Sequence, residues 1–274
     1  MRNATGNVAL PRLEFLGVTK RFANKNAKPS QPSFLTAVEE VSLSIKDGEV
    51  VSLIGPSGCG KSTLLNMGSG LDRASEGEIF VDGERVTKPN PHVAFMLQKD
   101  LLLPWRTIAE NVALGLEIHG AEGKQRSPTV AALLAKFHLD GFSGHYPHQL
   151  SGGMRQRAAL ARTLAVDPAV LLLDEPFSAL DAQTKMILQS DLAQTLAAEG
   201  KTALFITHDL VESVILSDRV LVMSARPGRI VEEIEIDLPD RDVPLIRRKH
   251  KRIGEYVSYL MSLLHVGEPE AALA

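Results

Sequence analysis

The residues with the clearest capacity for chemistry lie in one glycine-rich stretch, which follows the apolar run Val50–Ile54 and precedes Leu64–Met67. This order is that of a strand, a loop and a helix. The stretch fits the pattern Gly-x4-Gly-Lys-Ser, in which backbone N–H groups surround phosphate oxygens, Lys61 reaches the terminal phosphates and the Ser62 hydroxyl ligates Mg²⁺. A glycine-rich turn that merely precedes a helix is the alternative. We predict a nucleoside triphosphate site made by Gly55, Pro56, Ser57, Gly58, Cys59, Gly60, Lys61, Ser62 and Thr63.

A second candidate is the acid pair Asp174 and Glu175, which follows the uniformly apolar run Val170–Leu173. Such a run is expected of a parallel strand covered on both faces, and ligands bind at the carboxyl ends of such strands. In enzymes with a phosphate loop, the first acid acts on the metal through water, and its neighbour can orient or deprotonate the attacking water. Capping of a following helix is the other interpretation. The upstream phosphate loop favours the catalytic one.

The elements around these acids alternate between strands and helices. Helical spacing over Ala182–Ala198 and Asp209–Leu216 is separated by the apolar segment Thr202–Thr207, and Val220–Met223 follows as a further strand. This alternation predicts a parallel α/β sheet that positions the phosphate loop and the acid pair.

The first part of the chain is predicted to be rich in strands and hairpins. Leu10–Val18 alternates loosely and predicts a strand, and the polar segment Ala23–Ser33 predicts a loop. Val41–Ile45 alternates with period two, and Asp47-Gly48 suggests that it forms a hairpin with the strand before the phosphate loop. Glu78–Val81 suggests another hairpin strand.

The segment from about 99 to 160 has a different character. Ile108–His119 and Val130–His138 show helical apolar spacing on either side of a polar stretch, Gly120–Pro128, that predicts a loop. A further helix begins after Leu150-Ser151-Gly152-Gly153, with three arginines, Arg155, Arg157 and Arg162, predicted to face solvent or a partner. We expect a helical insert here.

Composition narrows the class of protein. Apolar residues make up 44% of the chain, yet no run approaches the roughly 18 apolar residues that a membrane helix needs, so we expect no membrane span. The start lacks the apolar core of a secretion signal and Cys59 is the single cysteine, which together suggest a reducing cytoplasm. The net charge is −3 and the 30 Lys and Arg residues are scattered, so we expect no nucleic-acid partner.

The segment Leu150–Arg157 resembles the signature that separates ABC-type ATPases from other proteins with a phosphate loop. Three further elements occur in the family's order: Gln98 resembles the Q-loop glutamine, Ser178–Asp181 the D-loop, and His208 the switch histidine. The resemblance covers about residues 10–236. It implies an α/β fold, a P-loop NTPase (RecA-like) core with a helical insert subdomain at about 99–160 and a β-hairpin-rich N-terminal part, followed by a short C-terminal helical extension over 237–274.

The resemblance also implies roles in binding and hydrolysing ATP with Mg²⁺. Glu175 and His208 would be catalytic, and Phe22 stands where the family stacks an aromatic ring on adenine. From the residues alone, His208 could instead cap the helix that starts at Asp209, and Gln98 could be a surface loop residue. Cys59 would be a small side chain that fits the loop, with redox regulation as the alternative. The implied metal ligands are Ser62, Gln98 and Asp174.

The signature residues imply a partner. A helix that opens at Ser151, Gly152 and Gly153 offers free N–H groups, an anion site for which this chain has no second phosphate loop. In the family, two chains pair head to tail and each ATP lies between the phosphate loop of one and the signature of the other, with Asp181 in the adjoining D-loop. The resemblance therefore implies a homodimer, a separate integral membrane permease that works with a solute-binding protein, and a peripheral position at the cytoplasmic face of the inner membrane.

Two segments bear on the transported solute. Leu101–Val112 and Ser224–Ile230 resemble the nitrate, sulfonate, taurine and bicarbonate branch of importer ATPases, although importers of thiamine-precursor pyrimidines share them. Leu101–Trp105 forms an apolar patch that is either helix-packing core or the seat of a permease helix.

The C-terminal extension contains a run of basic residues. The basic run Arg247–Arg252 is expected to be a solvated face before an amphipathic helix over Tyr256–Leu264. Attraction of this run to the inner membrane surface or to a permease is the alternative. A soluble ABC ATPase acting on the ribosome or DNA is the alternative function, but such proteins often carry tandem or interrupted cores, whereas this chain has one uninterrupted core. A GTPase or kinase would leave the Leu150–Gly153 segment unexplained.

Overall fold

The computed structural model describes residues 10–24, 33–178 and 180–265. Residues 25–32 of the predicted loop, Ala179 of the predicted D-loop and residues 266–274 of the predicted extension lie outside the described residues. The strands are β1 (Leu13–Ala23), β2 (Phe34–Ile45), β3 (Val50–Ile54), β4 (Glu76–Val81), β5 (Glu84–Arg85), β6 (Val93–Met96), β7 (Val170–Asp174), β8 (Thr202–Ile206), β9 (Arg219–Met223) and β10 (Ile230–Glu235). The α-helices are α1 (Lys61–Gly68), α2 (Ile108–Ile118), α3 (Gly123–Lys136), α4 (Gly152–Leu164), α5 (Ala182–Ala198), α6 (Leu210–Leu216), α7 (Pro244–Arg247) and α8 (Ile253–Leu263).

The larger sheet has six strands in the order β10-β9-β3-β8-β7-β6, and all neighbours are parallel except β10 with β9. Every residue of β3, β7 and β8 is buried. Along β3, Val50 and Ile54 belong to one apolar cluster, and Val51 and Leu53 belong to the other. Both faces of the sheet are therefore covered, as the uniformly apolar runs predict. The phosphate loop, the acid pair and His208 follow the carboxyl ends of three adjacent strands.

The smaller sheet is antiparallel, with the order β2-β1-β4-β5. The predicted hairpin of β4 and β5 is confirmed. The predicted hairpin of β2 and β3 is wrong, because β2 pairs with β1 and β3 pairs with β8 and β9. The turn at Asp47-Gly48 carries the chain from one sheet to the other. The physical reason is burial: β3 is buried on both faces and belongs at the centre of a covered sheet, whereas β2 alternates between buried and exposed residues.

Helices α2, α3 and α4 lie between β6 and β7 in the chain. The prediction that Gly120–Pro128 is a loop is wrong for most of its length, since α3 already begins at Gly123 and contains Pro128. A proline here removes the hydrogen bond to the carbonyl of Lys124 and places its ring against that carbonyl. Lys124 and Pro128 are both exposed, so water can satisfy that carbonyl and the helix tolerates the proline.

The α4 arginines do not face open solvent, which corrects the sequence-based prediction. Arg155 Nε donates to Asp100 Oδ2 at 3.0 Å, and Arg162 donates to the carbonyls of Leu101 at 2.8 Å and Asp100 at 2.6 Å. Arg157 donates to a carbonyl of the insert at 3.3 Å. Burial lowers the pKa of Arg162. The arginines therefore fasten the chain segment around Asp100 to α4, because their long stems reach carbonyls that have no partner in a strand or helix.

The C-terminal extension is anchored by a buried arginine. Arg247, at the end of α7, is 2% exposed and donates to the carbonyls of Ile215, Ser217, Ile236 and Leu238 at 3.3, 2.8, 3.3 and 3.1 Å. Burial lowers its pKa to about 10. The expectation of a fully solvated basic run is therefore wrong at this position, although the neighbouring basic residues are exposed.

The predicted amphipathic terminal helix is present as α8, which packs against α6. Its buried residues are Ile253 and Leu260. Within the described ranges, no helix has the length and apolarity needed to cross a membrane.

Candidate functional site

An open cleft of about 300 Å³ lies where the two sheets meet the phosphate loop. It is lined by Phe22, Leu35, Ala37, Ser57, Gly58, Gly60, Lys61, Ser62, Thr63, Glu175, Ile206 and Arg226. The structure thus brings Phe22, the phosphate loop and Glu175 together around one space. Leu35, Ala37, Ile206 and Arg226 were not singled out as site residues from the sequence, because they reach the cleft only through strand pairing. The Ser224–Ile230 segment that contains Arg226 was noted only for its bearing on the solute.

The phosphate loop turns directly into α1. Lys61 Nζ donates to the carbonyls of Gly55 at 2.7 Å and Pro56 at 2.9 Å, which holds the ammonium over the loop. Gly60 has φ +109°, and a Cβ there would overlap Val38 of β2, so only glycine fits. The free N–H groups at the start of α1 and the adjacent ammonium favour an anion in the cleft.

Three residues of the predicted loop stand behind the cleft rather than in its wall. Gly55, Pro56 and Cys59 do not line it, and the Cys59 side chain is buried in the apolar core shared with the smaller sheet. Cys59 Sγ lies 3.7 Å from Lys61 Nζ. Its small side chain fits this packed position, which favours the interpretation of Cys59 as a small packing residue of the loop.

Asp174 ends β7 and is 6% exposed. Burial raises its pKa, and a hydrogen bond from the Ser62 side chain partly offsets the effect. The carboxylate is therefore short of compensating positive charge. Oxygen atoms of Asp174, Ser62 and Gln98 are the ligands that a small hard cation prefers, and a cation would relieve the electrostatic cost of burying the carboxylate. The residues present fit Mg²⁺.

Glu175 is held in an uncommon backbone conformation, with φ +49°. Its N–H donates to the carbonyl of Ile206 on the neighbouring strand at 3.1 Å, which fixes that conformation. The carboxylate accepts a hydrogen bond from Gln98 Nε2 at 2.9 Å and lies 3.5 Å from His208 Nδ1. Non-glycine residues with such a positive φ cluster at functional sites. The backbone strain and the two side-chain neighbours therefore both indicate that the Glu175 carboxylate is functional.

The capping interpretations of the acid pair and of His208 find no support. Asp209, not His208, caps α6 by accepting a hydrogen bond from the N–H of Glu212 at 3.1 Å. Asp181, rather than the acid pair, caps α5. His208 is exposed and turns towards Glu175.

Phe22 lies near the end of β1 at the mouth of the cleft and is 43% exposed. The ammonium of Lys20 lies 5.0 Å from the centre of its ring. Together with Leu35 and Ala37 of β2, the ring gives the cleft an apolar end. An aromatic heterocycle could bind against this end.

The signature residues do not reach the cleft. Ser151 Oγ caps α4 by accepting from the N–H of Met154 at 3.3 Å, and Ser151 and Gly152 are exposed. A Cβ at Gly153 would lie 3.0 Å from Thr184 Cγ2, so the start of α4 abuts the start of α5, which Asp181 caps. The structure therefore brings the signature next to the start of α5, and none of Ser151, Gly152, Gly153 and Asp181 lines the cleft.

Comparison with known proteins gives matches over most of the chain. A family model described as ABC transporter matches residues 38–178. An uncharacterized ABC transporter ATP-binding protein of Methanocaldococcus jannaschii is 43% identical over 234 residues, covering 85% of each chain. The aliphatic sulfonates import ATP-binding protein SsuB of Bacillus cereus is 44% identical over 223 residues, covering 81% of this chain and 85% of the relative.

Solved structures agree with the fold. A dimeric ATP-binding cassette in a post-hydrolysis state bound to ADP and Pi has a TM-score of 0.72 and 32% identity, covering 82% of this chain and 98% of that one. The matched family model spans the phosphate loop, the signature helix and the acid pair. The chain accordingly belongs to the ABC transporter family and is one of its ATP-binding, ATP-hydrolysing proteins.

Proposed function

We propose that this chain is the ATP-hydrolysing subunit of an ABC importer that takes up a small solute, such as nitrate, a sulfonate or taurine, through a separate permease. The observation that carries the solute class is the similarity to relatives named aliphatic sulfonates import ATP-binding proteins, which are 44% and 46% identical over 81% and 76% of the chain. The SARPGRI segment at Ser224–Ile230 and the segment Leu101–Val112 favour the same branch.

In this proposal ATP lies along the cleft. Its base stacks at the apolar end on Phe22, beside Leu35 and Ala37, and its phosphates accept hydrogen bonds from the N–H groups that open α1. Lys61 turns from the loop carbonyls to the terminal phosphates. Mg²⁺, held by Ser62, Asp174 and Gln98, would neutralise charge on the phosphate oxygens.

Glu175 is the candidate general base. Its carboxylate borders the cleft and is oriented by two neighbours, Gln98 at 2.9 Å and His208 at 3.5 Å. A carboxylate fixed in this way can accept the proton of a water molecule as the water attacks the terminal phosphate. His208 is exposed beside it and can donate to the phosphate oxygen on which charge develops.

The bare start of α4 supports a homodimer with ATP at the interface. Ser151 and Gly152 are exposed and face no phosphate loop of their own chain, although their N–H groups suit an anion. The structural neighbours are described as dimeric cassettes. A second copy would supply the missing contacts, so that each ATP lies between the phosphate loop of one chain and the signature of the other.

The permease contact lies on the segment after Gln98. Leu101 and Trp105 are 52% and 71% exposed, and Arg155 and Arg162 fasten this segment to α4. We therefore favour the docking interpretation for these two residues, while the neighbouring Leu102 belongs to the core. A permease helix bound here would move with the signature at the start of α4. It would also respond to movement of Gln98, whose side chain donates a hydrogen bond to Glu175.

The same proposal divides the chain into an ATPase domain over 10–236, with its insert at about 99–160, and an extension over 237–274. The protein would be peripheral at the cytoplasmic face of the inner membrane, with a solute-binding protein on the far side of the permease. This proposal includes no nucleic-acid partner.

Uptake in the cell of origin tests the proposal. Deletion of the gene should abolish the initial uptake of one labelled solute among nitrate, taurine and short alkanesulfonates, and re-expression of the wild-type chain should restore it. Lys61→Ala should fail to restore uptake because the terminal phosphates lose their point charge. Lys136→Ala is the matched control, since that exposed lysine pairs with Glu199 on the surface, away from the cleft.

Two results would count against the proposal. Unchanged uptake of every solute after deletion would contradict an importer of this class. Co-sedimentation of the purified ATPase with ribosomes, without any permease bound, would favour the non-transport alternative.

A further inference from the structure

The loop between β9 and β10, residues Ser224–Arg229, is packed between the two walls of the cleft. The N–H of Gly228 donates to the carbonyl of Ala37 at 2.9 Å, and its carbonyl accepts from the N–H of Glu39 at 3.0 Å. A Cβ at Gly228 would overlap the carbonyl of Cys59 in the phosphate loop. Backbone contacts therefore fix this loop against β2 on one side and against the phosphate loop on the other.

Arg226 projects from that loop into the lining of the cleft. Its Nε and Nη2 donate to the carbonyl of Gly58 at 3.1 and 2.8 Å. This fork fixes the plane of the guanidinium. Nη1, on the other edge, has no acceptor among the described residues, and no described carboxylate pairs with Arg226. The cleft thus contains a second cation, beside Lys61, that no acid of the described chain neutralises.

The neighbouring arginine provides a contrast within the same loop. Arg229 Nη2 pairs with Glu39 Oε2 at 2.7 Å and does not line the cleft. Its charge is already compensated. The two arginines are three positions apart and differ only in what their guanidinium groups face, so one of them is available to an incoming anion.

The contact with Gly58 has a further consequence for the phosphate loop. A loop that binds phosphate must direct its N–H groups inward and its carbonyls away from the anion. The Arg226 fork holds the Gly58 carbonyl, and a guanidinium presents planar paired donors that match phosphate oxygens better than an ammonium does.

We propose that Arg226 is an ATP-binding residue, which holds the phosphate loop through Gly58 and gives the bound polyphosphate a second cationic contact. This inference rests on the proposed function in one respect, namely that the cleft binds ATP. It assigns to Arg226 a role that grows with the number of phosphates on the nucleotide, because the attraction is between a fixed positive charge and the phosphate charge.

Binding of ATP, ADP and AMP to the purified chain tests the inference by calorimetry at low salt with Mg²⁺. Arg226→Gln keeps an amide donor for Gly58 but removes the charge, and we expect it to weaken ATP binding about tenfold. ADP should lose less, and AMP should stay within about twofold. Arg226→Lys should fall between wild type and Gln. Raising the salt concentration should shrink the difference, because exposed charges are screened.

Arg229→Gln is the matched control, since it removes the same charge from the same loop outside the cleft. We expect its ATP affinity to stay within about twofold of wild type. Thermal unfolding without nucleotide checks that each variant is folded. If Arg226→Gln does not fold, the comparison is made with Arg226→Lys instead.

The possible failures are distinct. If the wild type binds ATP and Lys61→Ala does not, but the Arg226 variants bind like wild type, the inference is wrong and ATP binding in the cleft stands. If Arg226→Gln weakens AMP as much as ATP, the residue does not act on the polyphosphate. If the wild type itself binds no ATP, the assignment of the cleft fails and the role of Arg226 fails with it.

Discussion

Two helices of this protein, α1 and α4, begin after glycine-rich segments, and their N-termini have very different surroundings. The start of α1 carries Lys61 and Ser62, with Asp174 hydrogen-bonded to Ser62 and Arg226 bound to the Gly58 carbonyl of the preceding loop. The start of α4 has its own Ser151 as a cap, with Ser151 and Gly152 exposed and Gly153 against Thr184 of α5. A helix end alone attracts an anion weakly, and surrounding charges turn it into a site. One chain therefore contains one charged half of the proposed ATP site, at α1, and exposes a second half, at α4, that lacks such charges.

The largest effect is expected on the ATPase rate, from a substitution in the half of the site at α1. Glu175→Gln keeps the shape of the side chain and removes the base, so turnover should fall by about 10²–10⁴ while ATP still binds. Because ATP then persists between the two helix ends, the variant should form a stable dimer with ATP in size-exclusion chromatography with light scattering. A variant that remains monomeric with ATP would contradict the idea that α4 completes the site.

Mixing two inactive variants tests the comparison directly. Lys61→Ala disables the α1 half and Ser151→Arg obstructs the α4 half with bulk and a misplaced cation, so each homodimer should be inactive. In a mixed dimer both lesions fall in the same composite site and the other site is intact. An equal mixture should regain about a quarter of the wild-type ATPase rate, since half of the dimers are mixed and each has one intact site.

The control for that experiment is the proportion of mixed dimers, measured by native mass spectrometry. Mixed dimers that bind one ATP each and remain inactive would mean that the sites lie within single chains or that both must hydrolyse together. A disulfide placed between the phosphate loop of one chain and the signature of the other distinguishes these cases, because it forms only if the segments face each other.

Stability should depend on a region remote from both helix ends. Arg247→Met removes the donors of four buried carbonyls, and we expect the free energy of unfolding to fall by about 2–3 kcal/mol in urea titrations. ATP affinity should not change. Lys249→Met is the matched control, as that residue is exposed and should change the free energy by less than about 0.5 kcal/mol. Equal effects of the two substitutions would show that the buried guanidinium does not hold the extension in place.

The smallest effect is expected at Asp174. Burial raises its pKa, so the charged form destabilises the native state, and this cost is fully present above the folded-state pKa. Asp174→Asn should therefore raise the melting temperature by a few degrees at neutral pH without nucleotide or Mg²⁺. The gain should shrink as the pH falls towards the unfolded-state value, where the wild-type carboxyl is protonated too. A gain that does not vary with pH would point to packing instead of charge.

The sequence predicted best those features that local chemistry determines. Helix α5 has the predicted bounds, Ala182–Ala198, because Asp181 caps its start and Gly200, with φ +59°, lies just past its end. The phosphate loop and the run before Asp174 were likewise recognisable without tertiary information. Their residue types are imposed by backbone conformation and by burial, both of which are visible locally.

Features that depend on distant pairing could not be predicted in this way. The assignment of β2 and β3 to different sheets depends on β8 and β9, which lie far along the chain. Arg226 enters the cleft because Gly228 pairs with Val38, and Arg247 is buried because it meets carbonyls from two other segments, at the end of α6 and just after β10. The sequence patterns that contain these arginines do not reveal that their partners are backbone carbonyls elsewhere in the chain.

The position of β3 also determines when the site can exist during synthesis. The N–H of Gly48, just before β3, donates to Thr202 Oγ1 across 154 positions, and the N–H of Val50 donates to Asp218 across 168. At about 5–20 residues per second, a ribosome needs about 8–30 s to make the chain between the first pair. A nascent chain therefore carries the phosphate loop sequence well before it has the strands that fix it, and nucleotide can bind in the finished cleft only after those strands have been made.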